Sequence, residues 1–315
     1  MKKRLSASRL NDFLGCAHHA ALWLDGFQEP EDDNASLELV RQKGFEHEAT
    51  VLKQLEAGRG PAASISTSGT LEKRVADTLV AISDGAPLIY QGAFASDRWV
   101  GFPDFLIRTG RANDIWLYEP EDAKLAHKAK AEHLLQLGIY AALLNEAADS
   151  PIAKGAIHVG GGEPERFDLK RTRSITKRLM RKFESFADLA ERKTKAVRTS
   201  ACKQCPFQSR CDAEWRAADS PVYVAGIRGD QIIKFEAAGV RTLTDLAALA
   251  PTSPIPGINK ESVARIANQA RLQKKGADQG EGLVEVLPVE PGRGFTLLPV
   301  PQSPSGKKLI RKNQL

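Results

Sequence analysis

Three charged residues, Asp104, Asp122 and Lys124, have the types and spacing of a site for metal-assisted chemistry. Asp104 lies inside the apolar run 99–107, where a buried carboxylate is costly unless something compensates it. Asp122 and Lys124 are two residues apart after the apolar run 115–118, so a strand would direct both side chains to one face. Carboxylate oxygens bind hard divalent cations, and a lysine ammonium can orient a water or stabilise an oxyanion. The pattern is typical of metal-assisted phosphodiester hydrolysis.

A polar helix face and a histidine are candidates to complete this site. Gln136 and Tyr140 are four residues apart in the predicted helix 130–145, so they lie on one face, one turn apart. His47 falls on the apolar stripe of the predicted helix 36–56. It is either a core histidine hydrogen-bonded to a neighbour or a third metal ligand beside the two aspartates. Both interpretations are open on the sequence.

The four cysteines also have the spacing of metal ligands. Cys202, Cys205 and Cys211 fall within ten residues, the first two in a CxxC arrangement, whereas Cys16 lies in the first predicted helix. In a reducing compartment such cysteines are metal ligands or reactive thiols before they are disulfides. The clustered three, with Cys16 as the fourth ligand, suit either a zinc ion or an iron–sulfur cube.

Composition and charge indicate a globular protein suited to a polyanionic partner. The 315 residues are enough for one large core and a smaller domain. The net charge of +6 and the pI of about 9.1 suit nucleic acid without requiring it. No apolar run reaches membrane-spanning length, and no signal-peptide core follows the basic start. We therefore expect a cytoplasmic protein with no membrane association.

Alternating helices and strands must position the candidate residues. The pattern predicts helices over residues 5–25, 36–56, 71–83 and 130–145, with Ser6 or Ser8 capping the first. It predicts strands over residues 88–95, 98–108, 115–126 and 156–159, a loop over 58–70 and a hairpin-like turn over 109–114. The candidate acids then belong to strands, and the Gln136–Tyr140 pair to the helix that follows them.

A strongly basic segment follows, predicted as a helix over residues 170–198 with eleven Lys or Arg and three Asp or Glu. Such runs are commonly only a solvated helix face. Arg171, Arg178, Arg181 and Lys182 can also line one side and form a track for a sugar-phosphate backbone. The segment is therefore either a solvated face or a DNA-binding surface.

After Ser220 the sequence predicts a small helical unit over residues 220–275, with two similar pieces. One piece covers residues 225–239, and the other runs from residue 255 into a helix over 260–273. These pieces resemble helix-hairpin-helix modules, which hold a DNA backbone through hairpin amides. Asn259 replaces the second hairpin glycine, so a purely structural role is an equal alternative. Residues 276–315 are predicted to be a Pro/Gly-rich linker and a disordered basic tail.

Taken together, the motifs resemble the RecB-like nucleases of the PD-(D/E)xK superfamily, over about residues 5–215. The iron–sulfur branch is the most similar: CRISPR-adaptation nucleases, AddB-type nuclease domains and bacterial nuclease–helicase fusions. The motifs follow in family order: Gly44-x-x-His47 at the histidine motif, Gly101-Phe-Pro-Asp104 at the first acid, Asp122-Ala-Lys124 at (D/E)xK, and Gln136-Leu-Gly-Ile-Tyr140 at QxxxY. The lone Cys16 followed by the cysteine trio matches the [4Fe-4S] arrangement of that branch.

The resemblance implies an α/β restriction-endonuclease-like core over residues 1–219, with a central mixed sheet flanked by helices. It implies Mg²⁺ or Mn²⁺ bound by His47, Asp104 and Asp122, and Lys124 near the attacking water. Gln136 and Tyr140 would position DNA or the lysine. A structural [4Fe-4S] cluster would be held by Cys16, Cys202, Cys205 and Cys211. The expected function is a deoxyribonuclease acting on single-stranded DNA or ends in repair, recombination or defence, with a helicase domain or subunit as a candidate partner.

Two departures from the family pattern keep other functions open. Pro120 lies in a strand that should be central, where proline removes a ladder hydrogen bond; it marks a bulge or disturbs activity. The related fusions continue with exonuclease-like and helicase domains, so we expect this chain to correspond to one part of a longer or split protein. The alternatives are a catalytically silent DNA-binding or helicase-accessory module with the nuclease fold, and a zinc-stapled scaffold protein.

Overall fold

The computed structural model describes residues 3–29 and 35–285. Contacts divide the chain into two units, Met1–Cys211 and Asp212–Leu315. The boundary expected at residue 219 lies eight residues further along. Predictions for the acidic stretch after Glu29 and for the chain from residue 286 onward fall outside the described residues.

Short helices and strands alternate along the first unit. Its helices are α1 (Ala7–Gly15), α2 (Ala17–Leu24), α3 (Ala35–Arg59), α4 (Leu71–Ser83), α5 (Ala131–Ala148) and α6 (Leu169–Ala187), followed by a 3₁₀ helix (Ser200–Gln204) and by α7 (Gln208–Ala217), in which the division between the units falls. Its strands are β1 (Ala63–Ser64), β2 (Leu88–Tyr90), β3 (Phe94–Ala95), β4 (Val100–Gly101), β5 (Phe105–Ala112), β6 (Ile115–Lys124), β7 (Lys154–Val159) and β8 (Glu165–Asp168). Within the described ranges, no helix is long and apolar enough to cross a bilayer.

A mixed sheet with helices on both faces forms the centre of this unit. In the described residues it has six strands in the order β1-β2-β5-β6-β7-β8; β2–β5, β5–β6 and β7–β8 are antiparallel, and β1–β2 and β6–β7 are parallel. Because side chains alternate along a strand, Phe105 and Ile107 pack with Val51 of α3 on one face. Ile89 and Leu106 pack with residues of α1, α4, α5 and α6 on the other. The expected mixed sheet flanked by helices is confirmed.

The single helix expected over residues 5–25 is wrong, because Cys16 interrupts it. Cys16 has an extended backbone, with φ −160° and ψ 106°. This conformation ends α1. The Cys16 N–H makes the last helical bond of α1, to the Asp12 carbonyl at 2.7 Å, and the Cys16 carbonyl accepts from the Ala20 N–H in α2. The Ser6 cap is confirmed: its hydroxyl accepts the Arg9 N–H at 3.3 Å. Cys16 therefore lies between two helices rather than inside one.

The strands expected over residues 88–95 and 98–108 are each interrupted as well. Gln91 adopts the left-handed backbone region with φ +58°, which ends β2. β3 and β4 form a separate two-stranded sheet, and β5 begins only at Phe105, after Pro103. The loop expected over 58–70 contains β1. The helix predicted over 71–83 is confirmed with those bounds as α4.

Pro120 lies within β6 without disturbing its pairing. Backbone N–H groups two residues apart on a strand point in the same direction. The Tyr118 N–H points away from β5, to the Ser150 hydroxyl at 3.3 Å, so the Pro120 nitrogen also faces away from β5. On that side the ladder with β7 begins one residue later. Of the two alternatives for Pro120, the bulge is therefore excluded, since the register shift occurs between Arg108 and Gly110 of β5. An effect of Pro120 on activity stays a prediction.

The basic helix is shorter than expected and ends at Ala187 instead of residue 198. Arg192 donates from Nη2 to the Ala187 carbonyl at 2.5 Å, and its Nη1 lies 2.6 Å from Asp25 Oδ1. A cation at the last carbonyls of a helix favours its termination there, because it offsets the partial negative charge of that end. The chain then continues as irregular backbone to the cysteine segment.

The second unit has a core of its own. It contains a short 3₁₀ helix (Pro221–Tyr223) and the helices α8 (Gly229–Ala237), α9 (Leu243–Ala248) and α10 (Lys260–Gln279). Phe235, Leu246 and Ile266 are fully buried in one cluster between these elements. The expected small helical unit is confirmed, and its last helix continues beyond the expected end at residue 273.

Candidate active site

Asp104 lies directly before the first residue of β5. The neighbouring strand β6 extends past this point. The last pair of the β5–β6 ladder is Phe105 with Glu121, so the Ala123 N–H has no strand partner on this side. Asp104 Oδ2 accepts that N–H at 2.9 Å. The carboxylate thus takes the place of a ladder partner and lies beside the Asp122–Lys124 segment.

Asp122 and Lys124 share one face of β6, as predicted, and form a direct ion pair. Asp122 is only 1% exposed, so this charge is removed from water. From α5, Gln136 Nε2 donates to Asp122 Oδ1 at 3.1 Å and lies 2.6 Å from the Tyr140 hydroxyl. One ion pair and two hydrogen bonds therefore join four of the five predicted catalytic side chains, and the fifth, Asp104, lies next to them.

Negative charge exceeds positive charge in this group. Burial raises the pKa of Asp104 well above its usual range, and the nearby carboxylates of Asp122 and Glu48 raise it further. Burial would lower the pKa of Lys124, but Asp122 and Asp104 outweigh it and raise that pKa above its ordinary value. One ammonium thus faces three carboxyl groups, and a divalent cation would relieve the repulsion between their ionised forms.

We expect Asp104→Asn to raise the melting temperature of the metal-free protein by a few degrees at neutral pH. The folded protein holds a proton on Asp104 that the unfolded chain releases above about pH 3.9. The free energy of unfolding therefore falls as the pH rises from the unfolded-state pKa through the folded-state pKa of Asp104. Asparagine cannot ionise, so the variant does not lose this stability. Asparagine keeps an oxygen for the Ala123 N–H. Thermal unfolding in EDTA measures the effect.

The gain in melting temperature from Asp104→Asn should disappear below the pKa that Asp104 has in the unfolded chain, because the aspartic acid and the asparagine are then both neutral. Asp97→Asn is the control, since Asp97 is an exposed aspartate in the nearby turn. A gain of equal size at acidic and neutral pH would contradict the explanation.

His47 lies near the site but is engaged elsewhere. Its Nε2 is 2.9 Å from the carbonyl oxygen of His158 on β7, which leaves Nδ1 as the nitrogen for a cation in this rotamer. In residues 3–29 and 35–285, no group of three or more His, Cys, Asp or Glu side chains is arranged to hold a metal ion. The role of His47 as a metal ligand stays a prediction.

A buried charged group on the opposite face of the sheet was missed by sequence reasoning. Glu121 is 0% exposed; it accepts from Arg166 Nη1 at 3.1 Å and lies 2.7 Å from His158 Nε2. These residues belong to β6, β8 and β7, so one carboxylate connects three neighbouring strands. The available signal was a histidine inside the apolar strand predicted over 156–159.

The four predicted DNA-binding cations of α6 are all exposed, and they share a side of the helix away from its buried residues, Thr176 and Phe183. They are Arg171, Arg178, Arg181 and Lys182. On another flank, Arg173 and Lys177 line a groove of about 680 Å³ between α5 and α6, and Arg181 lines it as well. That groove lies on the side of α5 opposite Gln136, so it is not the candidate site. Both interpretations of the basic helix are compatible with this placement.

The segments that carry Cys16 and Cys202 pack together from distant parts of the chain. Cys16 lies in the break between α1 and α2. A β-carbon at the neighbouring Gly15 would lie 3.5 Å from Cβ of Ala201. Ala201 belongs to the 3₁₀ helix that carries Cys202, so the helix break packs directly against the cysteine segment.

The thiols of Cys16 and Cys202 are close enough to affect that of Cys205. All four are half-buried. Burial raises the pKa of the Cys205 thiol, and the proximity of Cys16 and Cys202 raises it further. Cys211 follows in α7, where its N–H donates to the Phe207 carbonyl at 3.1 Å. A cationic metal centre binds the thiolate form, so such a centre would offset the raised pKa of Cys205.

The two similar pieces of the second unit repeat each other at an interval of 31 residues. Residues 224–227 and 255–258 form the same turn, closed by an N–H···O bond of 3.1 Å, with a glycine of φ +76° at the third position. Lys234 donates to the Gly257 carbonyl of the second turn at 2.9 Å. Its counterpart Arg265 has Nη1 2.9 Å from where a β-carbon at Gly226 would lie. Asn259 caps α10 through the Ser262 N–H at 2.8 Å. DNA binding by these turns stays a prediction.

Comparison with known proteins adds little to this geometry. No family model matches the chain, and no curated protein matches it. A solved structure described as "Crystal structure of SSO0001" aligns with 68% of this chain and 87% of its own, at 14% identity and a TM-score of 0.30. A likeness of this size carries no argument about fold or function.

Proposed function

We propose that this protein is a metal-dependent deoxyribonuclease with a PD-(D/E)xK-like core. The observation that carries the proposal is the convergence of Asp104, Asp122 and Lys124 where β5 begins and β6 ends, next to Gln136 and Tyr140. Hydrolysis of a phosphodiester needs carboxylates for a cation and a fixed positive charge near the phosphate. This group of residues supplies both.

A divalent cation fits the residues present. Asp122 Oδ2 is buried and has no hydrogen-bond partner in the described part of the chain; only the Lys124 ammonium lies beside it. Mg²⁺ is commonly held by one or two protein carboxylates and keeps several waters. Asp104 and Asp122 would hold Mg²⁺ or Mn²⁺, with His47 as a further predicted ligand. The ion would neutralise phosphate charge and lower the pKa of a water.

The pKa shifts suggest how the remaining residues act. Lys124 keeps its proton because its pKa is raised, so it supplies charge and hydrogen bonds and does not act as a general base. Burial, with Asp122 nearby, raises the pKa of Tyr140 well above its usual range, so the phenol also stays protonated. Gln136 lies between Tyr140 and Asp122 and fixes the orientation of that carboxylate.

The exposed cations of α6 are proposed to carry the DNA backbone. We expect Arg171→Ala with Arg178→Ala to weaken binding of single-stranded DNA and to lower the slope of log affinity against log salt by about 1.4, at about 0.7 per phosphate contact. Fluorescence anisotropy over a salt series measures both.

The matched control for this double variant is Arg173→Ala with Lys177→Ala. It removes the same charge from the same helix, but from the flank facing the α5–α6 groove. Equal losses in the two double variants would indicate a nonspecific effect of net charge and would remove the proposed track.

A catalytically silent DNA-binding module is the second candidate function. The observation that favours it is the ion pair itself, because Lys124 occupies the Asp122 oxygen that a cation would need. The two functions differ in a direct test: cleavage of labelled single- and double-stranded DNA with Mn²⁺ or Mg²⁺. Metal-dependent cutting supports the nuclease; DNA binding without cutting by the folded protein supports the silent module, or an enzyme that needs a helicase partner.

The cysteines are proposed to hold a [4Fe-4S] cluster with a structural role. What supports this is the proximity of Cys16, Cys202 and Cys205, contributed by the first helices and the last segment of the first unit. A zinc ion on the same thiolates is the alternative. Analysis of iron and acid-labile sulfide after anaerobic purification distinguishes the two.

A further inference from the structure

Arg74, near the start of α4, is an arginine without an acidic partner. Within the described residues it forms no ion pair, whereas the neighbouring Lys73 pairs with Asp77 at 2.9 Å. The Arg74 side chain is half-buried, and its Nε is buried with no hydrogen-bond partner in the described part of the chain. Removing a guanidinium from water is costly unless an anion compensates it. An unpaired arginine in such a position therefore suits an anionic ligand.

Two contacts hold the Arg74 guanidinium over the segment that leads into the candidate site. Its Cζ lies 4.8 Å from the centroid of the Phe102 ring, in a cation–π contact. Its Nη2 is 3.5 Å from the Gln91 carbonyl oxygen, and the Gln91 N–H donates to the Asp104 carbonyl at 2.8 Å. The guanidinium is thus attached to Phe102 directly and to the Asp104 backbone through one residue.

The segment 101–104 lies between Arg74 and α5. A β-carbon at Gly101 would lie 2.9 Å from Cδ1 of Tyr140, so the segment packs directly on that candidate residue. Both α4 and α5 cover the face of the sheet to which Asp122 and Lys124 point. Arg74 therefore adds a positive charge beside the candidate site, on the face that carries its side chains.

The end of the Arg74 guanidinium keeps the donors that a phosphate needs. A guanidinium has five N–H groups, and Arg74 uses one on Nη2 for the Gln91 carbonyl. Nη1 forms no hydrogen bond within the described residues and, unlike Nε, it is not a buried orphan. The remaining N–H groups of Nη1 and Nη2 can donate two hydrogen bonds to two oxygens of one phosphate.

We propose that Arg74 binds a backbone phosphate of the DNA strand close to the bond that is cut. The inference rests on the proposed function, because it places the strand at the same site, and it adds a contact on α4 to those proposed on α6. The competing explanation is that Arg74 only holds the segment 101–104 against α4. That role needs the aliphatic stem and one N–H group, whereas phosphate binding needs the charge.

The first test is binding of single-stranded DNA to the full-length protein in EDTA, by fluorescence anisotropy over a salt series. Arg74→Gln keeps a stem for Phe102 and an N–H group for the Gln91 carbonyl but has no charge. It should weaken binding about tenfold, the effect of one lost charge-assisted hydrogen bond. It should also lower the slope of log affinity against log salt by about 0.7. The melting temperature should stay close to that of wild type.

Arg111→Gln is the matched control for Arg74→Gln. Arg111 also lies over an aromatic ring, with Cζ 4.9 Å from the centroid of Trp116, but it pairs with Asp114 at 3.3 Å. It belongs to the end of β5 that is far from Asp104. The control variant loses the same charge and the same kind of ring contact, and it should keep wild-type affinity and salt slope.

The second test locates the phosphate relative to the cut. Single-stranded substrates that each carry one neutral methylphosphonate, at successive positions, are cleaved in Mn²⁺. We expect one position, a fixed number of nucleotides from the cut, at which the neutral group slows wild-type cleavage about tenfold. At that position it should not slow Arg74→Gln further, because the contact is already absent.

The outcomes separate this inference from the proposed function. If Arg74→Gln binds DNA as tightly as wild type with the same salt slope, the inference is wrong, even where wild type cuts DNA. If every methylphosphonate slows Arg74→Gln as much as wild type, Arg74 only holds its segment and the inference is again wrong. If Arg74→Gln weakens binding and Arg111→Gln does not, while wild type cuts no DNA, the phosphate site stands and the nuclease activity fails.

Discussion

Replacing Lys124 with alanine is expected to slow Mn²⁺-dependent cleavage of single-stranded DNA at least about a hundredfold. Removing one fixed group that stabilises developing negative charge costs about 10²–10³ in rate. Lys124 is charged in the folded protein because Asp122 and Asp104 raise its pKa, so the variant loses a full positive charge. DNA affinity should change little, because the proposed backbone contacts lie on α6. Single-turnover cleavage of labelled DNA, with anisotropy for binding, measures both.

Two further variants make the Lys124 result interpretable. Lys128→Ala removes the same charge from an exposed side chain four residues away and should leave cleavage unchanged. Alanine at 124 leaves Asp122 buried without a counter-charge, which can cost about 3–5 kcal/mol of stability, so melting temperatures are needed. Lys124→Arg keeps the charge but not the compact ammonium, and should lose cleavage with a smaller loss of stability. Wild-type rates in both Lys124 variants would exclude this site.

Changing Cys16 to serine is expected to abolish the brown iron–sulfur chromophore and to destabilise the first unit. The cluster would link Cys16 to Cys202 and so close a loop that contains most of the unit. A cross-link of that span is worth about 5 kcal/mol in the chain-entropy estimate. Loss of the cluster should therefore lower the free energy of unfolding by an amount of that order. Absorbance near 400 nm and urea unfolding of anaerobically purified protein measure the two effects.

Lys203→Ser provides the control for the cysteine variant. It introduces a serine between Cys202 and Cys205 at an exposed position and leaves every thiol in place, so colour and stability should be retained. Cys211→Ser should behave like Cys16→Ser, because each supplies one of four ligands. An unchanged chromophore in either cysteine variant would refute this ligand set, and zinc without sulfide in the wild type would replace the cluster by a zinc site.

The parts of the site that depend on local periodicity could be predicted from the sequence. Asp122 and Lys124 share a face because a strand has a period of two, and the structure pairs them directly. Gln136 and Tyr140 meet because residues four apart are neighbours on a helix. Neither relation depends on where the rest of the chain lies.

The parts that depend on packing between elements could not be predicted. The contact of Asp104 with the Ala123 N–H exists because the β5–β6 ladder ends one pair earlier. The contact of His47 with the β7 backbone depends on the rotation of α3 about its axis. That rotation is fixed by the packing of Val51 on the sheet, a contact between segments far apart in sequence. No periodic pattern in α3 carries this information.

Single-residue changes of backbone direction were also missed, for a different reason. Cys16 divides the first helix by a single extended residue, and Gln91 ends β2 by a left-handed backbone conformation. Neither residue is a glycine or proline, which are the usual sequence signals for such breaks. Pro120 is such a signal, but its backbone nitrogen lies where neither neighbouring strand offers a ladder bond. The proline therefore removes no ladder hydrogen bond.

Neither half of the 31-residue repeat in the second unit is expected to fold by itself. Phe235 of the first half and Ile266 of the second are buried in the same cluster, and Lys234 of the first half binds the turn of the second. During synthesis on the ribosome, α8 alone would therefore not be stabilised by this core. The stabilising contacts join residues far apart in sequence, so both halves must be present before either turn is stabilised. We expect the unit to fold in one cooperative step after α10 has been synthesised.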